Sequence, residues 1–328
     1  MATSTSSSSS PAAPSRLPHL ALAALATNIL IVFTGGLVRV TGSGLGCPTW
    51  PTCDGRTVVP RPGGDHTTWQ TGVEFGNRLL TFLVLAVAVA LVLEVRRRTS
   101  ELPGRLRALA WALPLGVVVQ ALLGGLTVLA QLHPLVVAAH FLLSMVLIAI
   151  AAALWQRARE HAGLVAPHLP EDEVGRFVAG GLRGATTALT VTAGAVLVLG
   201  TIVTASGPHA GDPGTPRLGI DIRFAAITHA DAVWMLVGLT VALVAVTWHH
   251  GPVGLRRSLR LLLALELVQG AIGYTQYATG IPSALVASHI LGAAVLWAAV
   301  VTVWVRARPA GSTSVRPAAA ARVVGTSP

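Results

Sequence analysis

Lysine is absent from this 328-residue chain, and charge of either sign is scarce: the 23 basic residues, all arginine, and the 13 acidic ones amount to 11% of the sequence. Against 53% hydrophobic residues that is too little polar material to cover a water-exposed surface, which excludes a pair of soluble domains and puts the chain in the membrane class. A cleavable leader is not expected either. No short apolar core with a cleavage site precedes the first apolar run, Leu17 to Val40, which is long enough to cross a bilayer and is expected to be retained. The two ends lack apolar residues to bury, so 1–16 and 305–328, rich in Ser, Ala and Pro, are expected to be disordered cytoplasmic tails.

What is abundant is apolar runs. They lie near 17–40, 71–95, 108–131, 135–155, 184–205, 224–248, 259–278 and 283–304, each close to the roughly 20 residues a bilayer requires. Seventeen of the 23 arginines fall in the tails or in the loops after the second, fourth and sixth runs. By the positive-inside rule both termini are cytoplasmic in a multi-pass protein of the cell membrane, and the net charge of +10 is topological; it does not mark nucleic-acid binding. The outward loop from Thr41 to Gln70 then holds both cysteines, Cys47 and Cys53, in CPTWPTC. Their spacing can close a small disulfide loop in an oxidising compartment, either as a staple or as a redox pair.

The halves resemble each other. VTGSG (40–44) after the first run matches VTASG (203–207) after the fifth, and Gln120 precedes His140 by the same 20 residues that separate Gln269 from His289. These matches, in one order, predict an all-α membrane protein of two tandem four-helix bundles, 17–155 and 184–304, joined by a cytoplasmic linker at 156–183. Four spans per unit is an even number, so the units are related by a pseudo-two-fold axis along the membrane normal.

Of eleven histidines, three lie well inside apolar runs: His140, His229 and His289, in the fourth, sixth and eighth. A lone intramembrane histidine often does no more than hydrogen-bond a neighbouring carbonyl, but three at one depth on alternate helices mark a functional site. Zinc would want several ligands close together, whereas each helix supplies one; a flat macrocycle between facing helices needs one imidazole from each. The repeat pairs His229 with His289 as axial ligands of a fixed haem, and His140 with Asn77 of EFGNR at a second site whose amide is a poor iron ligand. Glu74, one turn before Asn77, has Ala226 as its counterpart in the other unit. It is read as a proton acceptor or water-orienting base, with an ion pair to Arg78 at i+4 as the alternative. Arg39, Arg78, Arg217 and Arg223 lie near the outer surface as candidate propionate contacts or lipid anchors. The glycines at 35–36, 124–125, 270 and 273 are assigned to helix packing.

GGLVRVTGSGLGCPTWPTC, EFGNR and the three histidines in a duplicated frame resemble the haem A synthase family over nearly all of residues 20 to 305. The resemblance implies an enzyme that oxidises the ring-position-8 methyl of haem O to a formyl group by successive hydroxylations, giving haem A for an aa3-type cytochrome oxidase. It also implies a catalytic Glu74, an extracytoplasmic cysteine pair at Cys47 and Cys53, the substrate haem on His140, and a haem b cofactor on His229 and His289. Asn77 departs from the family, where many members have histidine. Partners so implied are haem O, the bilayer, a haem O synthase and an electron-transfer protein, with homo-oligomerisation left open. A diheme electron carrier is the runner-up, because two haems in one chain also suit quinol-linked transfer; Glu74 beside an under-ligated site favours chemistry. A haem transporter or chaperone lacks its expected soluble motor or broken helices.

Overall fold

A computed structural model describes residues 16–61, 67–165, 173–249 and 251–308, with backbone only at 173–178. The expected tails lie outside it save for Arg16 and residues 305–308, as do His66, His168, His250 and the side chain of Arg176. Among the described residues the chain forms eight helices and no strand: α1 Leu17–Val40, α2 Thr68–Arg97, α3 Gly104–Leu129, α4 Pro134–His161, α5 Glu173–Ser206, α6 Ile222–Thr247, α7 Val253–Ala278 and α8 Ser283–Arg306.

Local chemistry sets the ends of these helices. Thr67 and Gln70 form a reciprocal capping box at the start of α2, and the Asp221 carboxylate accepts from Phe224 N at 2.8 Å at the start of α6. Pro103, Pro252 and Pro282 precede α3, α7 and α8, where a residue without an N–H costs nothing. The arginine-rich segments are more helical than expected of a linker: α4 continues to His161, and α5 begins at Glu173, eleven residues before the apolar run that defines its span.

Seven of the helices are long and apolar enough to cross a membrane, and the chain is a multi-pass membrane protein. The exception by composition is α7, in which Arg256, Arg257, Arg260, Glu266, Gln269 and Gln276 interrupt the apolar residues. It is as long as α3 and α6 and packs between α6 and α8. Large apolar side chains such as Phe82, Leu115, Val191 and Phe224 are more than half exposed on the outside of the bundle, as a lipid-facing surface requires.

Neighbouring pairs are α1–α2, α2–α3, α3–α4 and α1–α4 in the first half and α5–α6, α6–α7, α7–α8 and α5–α8 in the second; α1–α8, α4–α8 and α4–α5 join the halves. The apolar packing is unevenly placed. Fully buried side chains cluster toward the arginine-rich end: Leu17 and Ala21 of α1, Leu91 and Val95 of α2, Leu113 of α3, and Ile148, Ala151, Ala152 and Leu154 of α4. A second cluster gathers Leu189, Leu255, Leu259, Leu262, Val300 and Val303 at the same end. Dispersion between close-packed side chains, not water exclusion, holds such a core in lipid. Toward the disulfide-bearing end the helices part, and there the cavity lies.

Candidate functional site

One cavity of about 1250 Å³ runs through both halves, larger than the roughly 300–1000 Å³ of an ordinary small-molecule site. His140, Asn77 and Glu74 line it from one half, and His229, His289 and Gln269 from the other. His140 and His289 are each the seventh residue of their helix and His229 the eighth, so at ~1.5 Å per residue they lie about 9–11 Å in from the helix starts.

The two halves brace their histidines alike. Gln120 Nε2 donates to the His140 carbonyl at 2.9 Å and to Ser144 Oγ, and Gln269 Nε2 donates to the His289 carbonyl at 2.7 Å. Each ring is seated against a glycine: a Cβ at Gly124 would stand 3.1 Å from His140 Cε1, one at Gly273 3.1 Å from His289 Cε1, and one at Gly200 3.3 Å from His229 Cε1. The assignment of these glycines to helix packing holds at Gly36, Gly124 and Gly273, which face Ile290, His140 and His289 of neighbouring helices; it is corrected at Gly125, which faces Trp50 of the outer loop.

His229 Nδ1 lies 3.1 Å from the Val196 carbonyl. A carbonyl can only accept, so Nδ1 carries the proton and Nε2 keeps its lone pair, the arrangement found in metal-ligating histidines. The Nδ1 atoms of His140 and His289 are buried without a hydrogen-bond partner. The His229 and His289 ring centroids are 6.5 Å apart with an interplanar angle of 68°. Two metal–imidazole bonds of about 2.0–2.1 Å, plus about 1.2 Å from each ligating nitrogen to its ring centre, span about 6.5 Å. The centroid separation therefore matches that of two imidazoles sharing one iron, and both rings line the same cavity.

The other half is built differently. Asn77 is fixed by Thr34, whose Oγ1 donates to Asn77 Oδ1 at 2.7 Å. Glu74, 5% exposed, accepts from Arg78 Nε at 3.1 Å and Nη2 at 2.6 Å through Oε1, and from Cys47 N at 2.7 Å through Oε2. Arg78 in turn donates to the carbonyls of Cys47 at 2.7 Å, Thr49 at 3.1 Å and Thr52 at 3.3 Å, so all five guanidinium N–H groups are engaged within the protein. Cys47 and Cys53 are joined in a disulfide and buried. Below the turn, the backbone N–H groups of Thr57 and Arg56 hold the exposed Asp54 carboxyl down to about 2. The Glu74–Arg78 pair, the alternative reading of Glu74, thus forms, and with it a clamp on the cysteine loop.

Arg39 reaches across to the second half, donating through Nε to the His209 carbonyl at 2.5 Å and through Nη2 to that of Thr204 at 2.9 Å. Gly44 N donates to the Gly211 carbonyl, and His209 Nε2 to that of Ile281, so the outer loops of both halves are tied together over the cavity. Arg217 bonds the carbonyls of Thr215 and Pro208 within its own loop. Two cavity residues escaped the sequence reading. Glu266 of α7 is 2% exposed, with Oε1 accepting from Thr240 Oγ1 at 2.8 Å and Oε2 without a partner; an acid in mid-span was the signal available. Trp50, within CPTWPTC, lines the first half.

A family model for cytochrome oxidase assembly protein, COX15-CtaA, matches residues 18–211. The chain belongs to that family. The matched residues run from α1 to the loop after α5, and so include Cys47, Cys53, Glu74, Asn77 and His140. Individual members with curated names are similar in part. A haem A synthase of Alkalihalophilus pseudofirmus is 28% identical over 138 residues, 40% of this chain and 44% of the relative. That of Symbiobacterium thermophilum is 34% identical over 206 residues, 61% of this chain and 63% of the relative. That of Shewanella oneidensis is 24% identical over 310 residues, 85% of this chain and 93% of the relative. The chain spans less than half the length of the first of these.

Proposed function

We propose that this family member is a haem A synthase of the cell membrane, with haem O as substrate and haem b as resident cofactor. The observation that carries the reading is the facing pair His229 and His289, 6.5 Å apart, in one cavity with His140, Asn77 and Glu74. The two four-helix units, 17–155 and 184–304, are part of the proposal. In support, exchanging each helix for the one four places on maps the set of neighbouring pairs onto itself, with α4–α8 at the centre. The arginine-rich loops are assigned to the cytoplasm with both termini, and the disulfide loop to the outside.

In the C-terminal unit His229 and His289 hold the iron of the haem b. A haem there supplies one-electron transfer away from the substrate carbon. Val196 keeps His229 in the tautomer that presents Nε2, and Gln269 holds the His289 turn in place. In the N-terminal unit His140 ligates the haem O iron, while Asn77, held by Thr34, leaves the opposite face weakly ligated. Glu74 is the water-orienting carboxylate of the site: the substrate methyl takes up oxygen from two waters, giving four protons to solvent and four electrons to the electron-transfer partner, and the resulting geminal diol loses water to become the formyl group. Its bonds to Arg78 and Cys47 fix its position against the site. Of the rim arginines, Arg78 has no N–H left over, whereas Arg39 and Arg223 line the cavity and are the propionate contacts this reading calls on, Arg39 through Nη1, which has no bond among the described residues. A haem O synthase and an electron-transfer protein are the partners this chemistry requires.

The test is pigment extraction from cells that make haem O, with and without this protein, followed by mass analysis. A formyl-bearing haem that depends on the protein is expected. Its absence, with the electron-transfer chain intact, overturns the enzyme reading and leaves a haem-carrying electron-transfer protein.

A further inference from the structure

Trp50 has no role in the ligation scheme above, yet the turn that carries it is fixed at several points. The turn that carries it is closed by Cys47–Cys53 and bonded to α2 at four backbone positions: Cys47 N to Glu74, and the carbonyls of residues 47, 49 and 52 to Arg78. From this turn the indole reaches α3. A Cβ at Gly125 would meet Cδ2, Cε2 and Cγ almost equally, the last two at 2.6 and 2.8 Å, so the ring lies face-on against the glycine and no larger residue fits beneath it. The preceding residue, Gly124, is the seat of His140. Trp50 and His140 therefore line adjoining parts of the cavity wall. The corresponding loop of the second half, 207–221, contains no tryptophan, and its His209 is bonded to the backbone at Ile281.

We propose that Trp50 is a substrate-contacting residue of the N-terminal site, packing on the flat macrocycle ligated by His140, and that the disulfide loop with its Glu74–Arg78 clamp is the device that positions it. The inference rests on the haem O reading. The physical case is the inequality of the two sites. A haem between two imidazoles is held at both faces of its iron and needs no further grip. A substrate held by one imidazole, with an amide opposite, must bind, react and leave, and an aromatic ring on a rigid support supplies orientation without a second metal bond. Seating the indole on a glycine fixes its plane, so the contact is made at low cost in side-chain freedom.

The experiment uses the full chain in detergent, titrated with haem O and followed by the absorption spectrum, for wild type, Trp50→Phe, Trp50→Ala, Gly125→Ala and the Trp50→Ala/Gly125→Ala double variant. Trp50→Ala is expected to weaken haem O binding roughly tenfold and to shift its absorption band, whereas Trp50→Phe stays within about threefold. Gly125→Ala, which displaces the indole, should reproduce the Trp50→Ala loss, and the double variant should be no worse than Trp50→Ala alone. Binding within about twofold of wild type for Trp50→Ala, or additive losses in the double variant, overturns the inference. So does loss of helicity or of the Cys47–Cys53 bond in Trp50→Ala, which would make the indole a structural element. A wild type that binds haem O in a Trp50-dependent way but forms no formyl product sinks the enzyme reading and leaves this inference standing. Conversion undiminished in Trp50→Ala, with unchanged binding, does the reverse.

Discussion

Replacing Arg78 with alanine should unfasten the outer loop, and the size of the effect follows from what the guanidinium touches. It makes two bonds to the Glu74 carboxylate and three to loop carbonyls. Its removal leaves a nearly buried carboxylate without the Arg78 charge beside it, and three carbonyls short of a donor. Breaking a buried ion pair costs about 3–5 kcal/mol. The Arg78 side chain is 22% exposed, so water recovers part of the loss and about 2–4 kcal/mol is expected. Glu74→Gln is the comparison: it removes the charge but keeps a carbonyl oxygen in place, and should cost about 1–2 kcal/mol. The assay is thermal unfolding in detergent, paired with the rate at which dithiothreitol opens Cys47–Cys53. Arg78→Ala should lower the transition more than Glu74→Gln and speed reduction of the disulfide. If Glu74→Gln proves the more damaging of the two, or if Arg78→Ala leaves both readouts unchanged, the clamp is misread.

Two further substitutions probe the histidine seats. Gly273→Ala places a methyl 3.1 Å from His289 Cε1 and should tilt the ring, altering the low-spin haem spectrum; Gly270→Ala, three residues away with nothing within 4 Å, should leave that spectrum as it was. Equal spectra for the two variants would mean that the imidazole does not depend on its seat. Asn77→His should convert the N-terminal haem toward a low-spin, two-histidine form, and an unaltered spectrum would show that residue 77 does not face the iron.

The helices and the histidines were legible in the sequence because both are local signals. An apolar run of sufficient length must be helical in lipid, and a histidine inside it is conspicuous. The Glu74–Arg78 pair, four residues apart on α2, was legible for the same reason. What those groups hold was not: the bonds from Arg78 to the carbonyls of residues 47, 49 and 52 cross 26 to 31 residues of chain, and no periodicity encodes them. The glycines show a similar division. Their smallness was plain, but whether Gly124 faces a helix, an imidazole or an indole depends on where α4 and the outer loop come to rest. The helical stretch from Glu173 was missed because its residues are polar enough to read as a linker. In α7, Glu266 lowered the apolar signal at the very place where it lines the cavity.

One cavity is proposed to hold two unequal haem sites, a fixed one on His229 and His289 and a working one on His140. The most direct measurement is the identity and amount of haem bound to purified His289→Ala, by solvent extraction and mass analysis. Loss of haem b with haem O still bound and unconverted is expected. Retention of haem b together with undiminished haem A formation would contradict it.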